Sequence, residues 1–283
     1  EPCTGVAKRG AAVVVNDLGG AGDGSGKDGS VASQVVKEIE AMGGRAVANT
    51  DNVEDGARII QQALDTFGRV DVLVNNAGIL RDTAFHKMDD AAWDAIYRVH
   101  LLGTFRTTRA AWDAMRAAGY GRILMTTSAA GIYGNFGQAN YSAAKLGILG
   151  LANTLAVEGA AKGVFTNTIA PTAASRLTAT VMPQQMLDAL APECVTPLAA
   201  LLCHDSSQEN GSVFEVGGGW VAKLRWEQAR GAMFKPGTLT AEALSERWSE
   251  VVSFDDARHP ASIQDTLKTL GEQIGLQFGL AVQ

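Results

Sequence analysis

Tyr141 and Lys145 stand four residues apart at the start of a segment of strong helical period, residues 139–162, so their side chains leave one helix face a turn apart. A phenol with a pKa of ~10 is a poor base at neutral pH, and an ammonium held beside it favours the phenolate and lowers that value. The spacing alone arises by chance in many helices. Ser128 makes it specific. It follows a β-branched run at residues 122–127 and precedes Tyr141 by 13 positions, so that a strand end faces a helix start. In doubly wound sheets ligands bind at the carboxyl ends of the strands, which brings the Ser128 hydroxyl into the crevice of Tyr141. The chemistry this permits is proton transfer at a substrate oxygen. Thr127 competes with Ser128 for the role, and a serine that merely ends the strand is the plainer alternative.

Asp17 ends the first strand pattern, Val13-Val14-Val15-Asn16-Asp17, where a carboxylate can accept both hydroxyl protons of an adenosine ribose and repel a 2′-phosphate. No arginine follows closely to welcome that phosphate, so the expected cofactor is NAD rather than NADP; the alternative is an aspartate that caps the next loop. Asn75-Asn76-Ala77-Gly78 closes another strand with small residues where a ligand or a helix must come close to the backbone, although a simple turn would use them too. Asp51 follows the strand at residues 45–49, where it either contacts the adenine or caps a helix starting at Val53.

The elements that must position these residues alternate in type. Strands are expected at 11–16, 45–49, 70–75, 122–127, 165–169 and 213–216, and helices at 30–42, 53–67, 90–118, 139–162 and 196–203. This is the signature of an α/β, doubly wound parallel sheet, and the near-continuous apolar run Val70, Val72, Leu73, Val74 predicts a strand buried on both faces. Six glycines in residues 19–29 read as a surface loop rather than a phosphate cradle, because they follow an acidic strand end instead of opening a helix directly. The sheet pattern stops after Trp220, and residues 240–254 and 262–274 read as two amphipathic helices. The expected organisation is a domain over residues 1–220 and a helical C-terminal extension over 221–283.

With 283 residues, 46% hydrophobic and 19% charged, one large core is affordable and extensive disorder is not expected. A net charge of -6 gives no support to a broad basic surface for nucleic acid. Three scattered cysteines have neither disulfide-framework nor zinc spacing, and no metal is expected. No apolar run of membrane-span length is read in the sequence, and no membrane partner is expected.

Asn75 to Gly78, Ser128, Tyr141, Lys145 and Asn167-Thr168-Ile169-Ala170-Pro171 resemble, in order and over about residues 6–220, the short-chain dehydrogenase/reductase pattern, with its Rossmann-like fold. The segments 14–20, 131–145 and 223–227 are similar to the (3R)-hydroxyacyl-CoA dehydrogenase branch of that family, and the helical tail to about Leu280 shares the likeness. The resemblance implies that Tyr141 is the general base, Lys145 its pKa-lowering partner and ribose ligand, and Ser128 the partner of the substrate oxygen. It places Asp17, Asp51, Asn75, Asn76, Ala77, Gly78, Tyr141, Lys145, Pro171 and Thr172 around NAD. Where the family commonly has an asparagine, this chain has His100, which either relays a proton as a neutral imidazole or packs within its helix.

One departure stands out. The family's first strand and its TGxxxGxG loop, which cradle the pyrophosphate at a helix start, are missing before Asp17, and residues 5–10 resemble the end of the helix that follows that loop. Loss of a central strand should leave neighbouring strand edges unpaired. The function implied is NAD-linked oxidation of a (3R)-3-hydroxyacyl-CoA to the 3-ketoacyl-CoA in fatty-acid β-oxidation, by a homodimer whose partner is an acyl-CoA. Two alternatives stay open: an NADPH-dependent 3-oxoacyl reductase, or a shortened form that dimerises without efficient cofactor binding. The family likeness implies a peroxisome, otherwise the cytoplasm, since Leu280-Ala281-Val282-Gln283 is not a peroxisomal signal.

Overall fold

The computed structural model describes residues 2–174, 183–235 and 237–275. The tail beyond Gly275, with the ending Leu280 to Gln283, lies outside the described residues. The strands are β1 (Ala12–Asn16), β2 (Arg45–Asn49), β3 (Val72–Asn75), β4 (Gly121–Thr126), β5 (Val164–Pro171), β6 (Val213–Gly217) and β7 (Trp220–Leu224). The α-helices are α1 (Pro2–Ala7), α2 (Ser30–Ala41), α3 (Gly56–Phe67), α4 (Asp90–Ile96), α5 (Gly103–Ala118), α6 (Ala129–Tyr133), α7 (Ala139–Ala160), α8 (Gln184–Ala189), α9 (Thr196–Cys203), α10 (Ala241–Glu246), α11 (Trp248–Val252) and α12 (Ile263–Ile274). The chain divides into two compact units, Glu1–Lys223 and Leu224–Gln283.

The first unit is a Rossmann-like parallel sheet with helices on both faces. All six residues of β4 are buried, and their alternation sorts them between two cores. Ile123 and Met125 join Leu73, Val164 and residues of α3, α5 and α7 on one face, while Leu124 joins Ile169, Val216 and the apolar side of α9 on the other.

Two sheets are formed, β1-β2 and β3-β4-β5-β6-β7, with β1 to β6 paired in parallel register. Among the described residues, the second edges of β1 and β3 carry no strand. That corrects the expectation for β3: Val72 is 36% exposed, because an edge strand has one flank uncovered. The expectation that the sheet ends at Trp220 also fails. Gly218 and Gly219, with φ of +55° and +84°, form a two-residue turn that folds β7 back beside β6. Such turns require positive φ, which glycine adopts without strain, so the Gly-Gly pair was a readable hairpin signal.

The helix expected over residues 90–118 is divided into α4, a π-helical segment Tyr97–Leu102, and α5. The 20-residue stretch Gln184–Cys203 contains an 18-residue window with a mean hydropathy of 1.5 and passes by length and composition as a membrane span, against the sequence expectation. It is folded as α8, a 3-10 turn at Pro192–Cys194 and α9, and Leu198, Ala199, Leu202 and Cys203 of α9 are core residues. In the second unit the helix expected over 240–254 is α10 and α11, and α12 starts with a capping box between Ser262 and Asp265.

Met125 is fully buried in a central strand and Val72 sits on an edge, so truncation should separate the two positions. Met125→Ala should cost about 2–5 kcal/mol in urea denaturation, and Val72→Ala well under half of that. Equal losses would show that β3 is covered in solution.

Candidate active site

The last residues of β4 and the first turns of α7 meet at one seam. Lys145 is buried, and its Nζ donates to the Thr126 carbonyl at 2.8 Å. Thr127 Oγ1 donates to the Lys145 carbonyl at 2.7 Å, so the threonine faces α7 and is spent there. Ser128 is left as the residue whose hydroxyl lies close enough to the Tyr141 phenol to favour its ionised form, while its Oγ accepts from the Ala130 N–H at 3.2 Å as the cap of α6. The plain and the chemical readings of Ser128 therefore coexist. Sequence order favoured Ser128 over its neighbour Thr127, and the bond that occupies Thr127 points the same way.

Burial acts on every titratable group here. It pushes the Tyr141 phenol above its ordinary value; the Ser128 hydroxyl lowers it in part, and the Asp82 carboxylate raises it again. It holds the Lys145 ammonium down at about 7. The expectation that Lys145 lowers the Tyr141 pKa is thus not met by the protein alone. Its Nζ lies 5.5 Å from the phenol ring centroid and is tied to Thr126, and desolvation outweighs attraction for both groups.

His100 lies in the π-helical segment, which turns its ring inward against Tyr141 in an edge-on contact at 5.2 Å. Its Nε2 faces both polar groups of Ile79, the N–H at 3.1 Å and the carbonyl at 2.8 Å. Burial and the nearby Lys145 charge lower its pKa to about 3, partly offset by the Ile79 bond, so it is neutral at physiological pH. Nδ1 has no hydrogen-bond partner among the described residues, so the relay has no second proton partner in the protein, and the geometry makes His100 a positioning residue for the strand end. Gly78 matches it: a Cβ there would come within 2.5 Å of His100 Cε1. The small residue expected for ligand approach is required by the histidine.

The remaining predicted residues hold the carboxyl edges of the strands. Asp17 Oδ1 accepts from the Gly19 N–H at 2.7 Å, the loop-capping alternative, and leaves its second oxygen for other partners. Asp51 is bound into a polar knot with Asn49, Asn16 and Arg58, and Asn52, not Asp51, caps the turn at Val53. Asn75 Nδ2 donates to Thr108 Oγ1 at 2.9 Å, and Asn76 Oδ1 accepts weakly from Thr126 Oγ1 at 3.4 Å. Asn76 and Ala77 are exposed. Pro171 ends β5, and the Thr172 N–H donates to the Val216 carbonyl at 2.8 Å. The glycine-rich loop 19–29 is tied to the neighbouring segment by Leu80 N–H to Gly22 O at 2.8 Å and Arg81 Nε to Asp23 O at 3.0 Å, and most of its residues are exposed, as expected of a surface loop.

A dinucleotide fits the seam at its ribose end. Among the described residues Lys145 Nζ has one acceptor, so two ammonium hydrogens are free for ribose hydroxyls in a buried place. Sequence reasoning missed Asn140. It is 2% exposed, donates to the Arg81 and Ala92 carbonyls at 3.2 Å, and accepts the Tyr141 N–H at 2.8 Å, which sets the first turn of α7. Its place next to Tyr141 was the only available signal.

Lys145 gives a pH test. Its ordinary value is 10.5 and its folded value about 7, so between those values the unfolded chain holds more protons. The cost of burying the ammonium is fully present below pH 7 and fades as pH rises. Relative to Lys145→Met, the parent protein should therefore gain stability from pH 7 to pH 10 in thermal melts. A difference independent of pH would mean the ammonium is not desolvated.

The sequence profile of the short chain dehydrogenases matches residues 2–186. The chain is 57% identical over 262 residues to the peroxisomal multifunctional enzyme type 2 of Mus musculus, a match covering 92% of this chain and 36% of that protein. Among solved structures, full-length peroxisomal multifunctional enzyme type 2 from Drosophila melanogaster superposes with a TM-score of 0.81 and 40% identity, over 96% of this chain and 46% of that one. A 7α-hydroxysteroid dehydrogenase complexed with NADH and 7-oxo glycochenodeoxycholic acid superposes with a TM-score of 0.68 and 26% identity, over 77% and 88%. The chain thus spans about a third of the mouse protein and under half of the fly structure. With the profile over more than half its length and the Ser128, Tyr141 and Lys145 seam in place, the chain belongs to the short-chain dehydrogenase family of oxidoreductases.

Proposed function

We propose that this chain oxidises a (3R)-3-hydroxyacyl-CoA to the 3-ketoacyl-CoA with NAD, as one step of fatty-acid β-oxidation. The observation that carries the reading is the Ser128 hydroxyl beside the Tyr141 phenol at the carboxyl edge of β4, with Lys145 one helical turn beyond and its Nζ held on the Thr126 carbonyl at 2.8 Å. Ser128 and Tyr141 hold the substrate's C3 oxygen between two hydroxyl groups, and Tyr141 Oη takes the proton as the carbonyl forms. When bound, the nicotinamide accepts the hydride from C3. Lys145 offers its spare hydrogens to the ribose, and His100 holds the Ile79 backbone and the Tyr141 ring. The second oxygen of Asp17 supports NAD over NADP. The peroxisomal names of the mouse and fly relatives support a peroxisomal place and β-oxidation, and the family likeness supports a homodimer.

A specific observation favours a second reading. Because burial raises the Tyr141 pKa, the phenol is protonated at neutral pH, the form that donates a proton in the reductive direction of a 3-oxoacyl reductase. Cofactor choice separates the two.

Tyr141→Phe removes one oxygen and keeps the ring, so NAD binding should survive while NADH formation from a 3-hydroxyacyl-CoA falls by about 10²–10⁴-fold or more. Near-normal turnover would overturn the mechanism. In the parent protein the oxidation rate should rise with pH through one ionisation above neutrality, since the phenolate is the active base.

Asp17→Ala should shrink the preference for NAD over NADP by about tenfold, because it removes both a ribose acceptor and a repulsive charge. An NADPH preference in the parent would favour the reductase reading. Dinucleotide binding too weak to measure, in a protein that still dimerises, would favour the non-catalytic form.

A further inference from the structure

Three aromatic side chains beside the seam are not used by the chemistry above. Phe136 is 90% exposed, Phe85 75% and Tyr133 67%. Tyr133 lies five residues after Ser128 and Phe136 five before Tyr141, on the connection between those two residues. Phe85 lies on the facing segment. Single exposed apolar residues are ordinary, but these three stand on two segments that are hydrogen-bonded to each other and, through Asn140, to the turn that carries Tyr141.

The two segments form one braced frame. The Thr83 N–H donates to the Gly137 carbonyl at 2.8 Å, Gln138 Nε2 to Asp82 Oδ2 at 2.7 Å, and Asn135 Nδ2 to Gln138 Oε1 at 2.9 Å. Asn140 then ties the Arg81 carbonyl to the first turn of α7. The backbone beside the aromatics is therefore fixed to the same turn that carries Tyr141, so a ligand need order only the exposed rings themselves.

We infer that Phe85, Tyr133 and Phe136 receive the hydrocarbon tail of the acyl substrate beyond its reacting carbon. This deepens the proposed function and rests on it. The tail is the occupant that fits, because it is covalently joined to the carbon held at Ser128 and Tyr141 and must leave past these loops. Each methylene laid against an aromatic face strengthens binding by up to about fourfold, so three rings turn chain length into affinity.

The test is calorimetry of the full chain without dinucleotide, using butanoyl-CoA and dodecanoyl-CoA as probes. The parent should bind dodecanoyl-CoA at least about tenfold more tightly. Phe136→Ala, Tyr133→Ala and Phe85→Ala should each narrow that ratio several-fold, and the triple variant should bring it close to one. Val157→Ala, at a 72% exposed position late in α7, controls for nonspecific adhesion and should leave the ratio as it was. A triple variant that keeps the parental ratio overturns the inference, as does a parent with no chain-length preference. A change of mass in light scattering with an unchanged ratio would assign the aromatics to a second copy instead. Because the readout is binding without NAD, failure of hydride transfer leaves this result separable: no NADH formed with the ratio intact sinks the oxidation reading alone.

Discussion

The bond from the buried Lys145 ammonium to the Thr126 carbonyl is the constraint on which the site depends. A cation with so little water around it must be held by a carbonyl whose position is itself certain. β4 provides that certainty, since all six of its residues are buried and both faces are packed. The bond fixes α7 against the strand end, the reciprocal bond from Thr127 to the Lys145 carbonyl fixes its height, and Ser128 is then the next residue free to reach Tyr141. The cost of the arrangement appears in the depressed pKa of the lysine and the raised pKa of the tyrosine.

A second device supports the first from the opposite side. The π-helical segment between α4 and α5 moves the His100 ring into the core, where it grips Ile79 and meets the Tyr141 ring edge-on. Gly78 leaves room for that ring, which a Cβ there would meet. Substituting this glycine or the histidine would shift the end of β3 and the phenol together, so the two residues form one unit although 22 positions separate them in the chain. An extra residue in a helix is a costly feature, retained where function needs a side chain re-aimed.

Around this seam the architecture is ordinary, with one exception. The parallel sheet is in two pieces, and the flanking edges of β1 and β3 carry no described strand. The seam does not rely on those edges. Its members come from β4, α6 and α7, all in the well-packed part of the larger sheet. The residues read as dinucleotide ligands are divided between the two pieces, Asp17 and Asp51 after β1 and β2, and Asn75 to Gly78 after β3.

The order of elements was legible because hydrophobic period is local: β2 and α9 were read to the residue, and most other bounds to within one or two. Tyr141, Lys145 and Ser128 were legible because spacing on one helix and at one strand end predicts which side chains share a face. The Gly218-Gly219 turn to β7 was equally local and was overlooked. What spacing could not decide was anything set by burial or by partners distant in sequence. The direction of the Tyr141 pKa, the neutral His100, the bond that occupies Thr127 and the structural duty of Asp51 all follow from desolvation and from contacts between segments distant in the chain. Those are properties of the packed chain, because the free energy of a charge or a hydrogen bond depends on how much water the surrounding fold has removed.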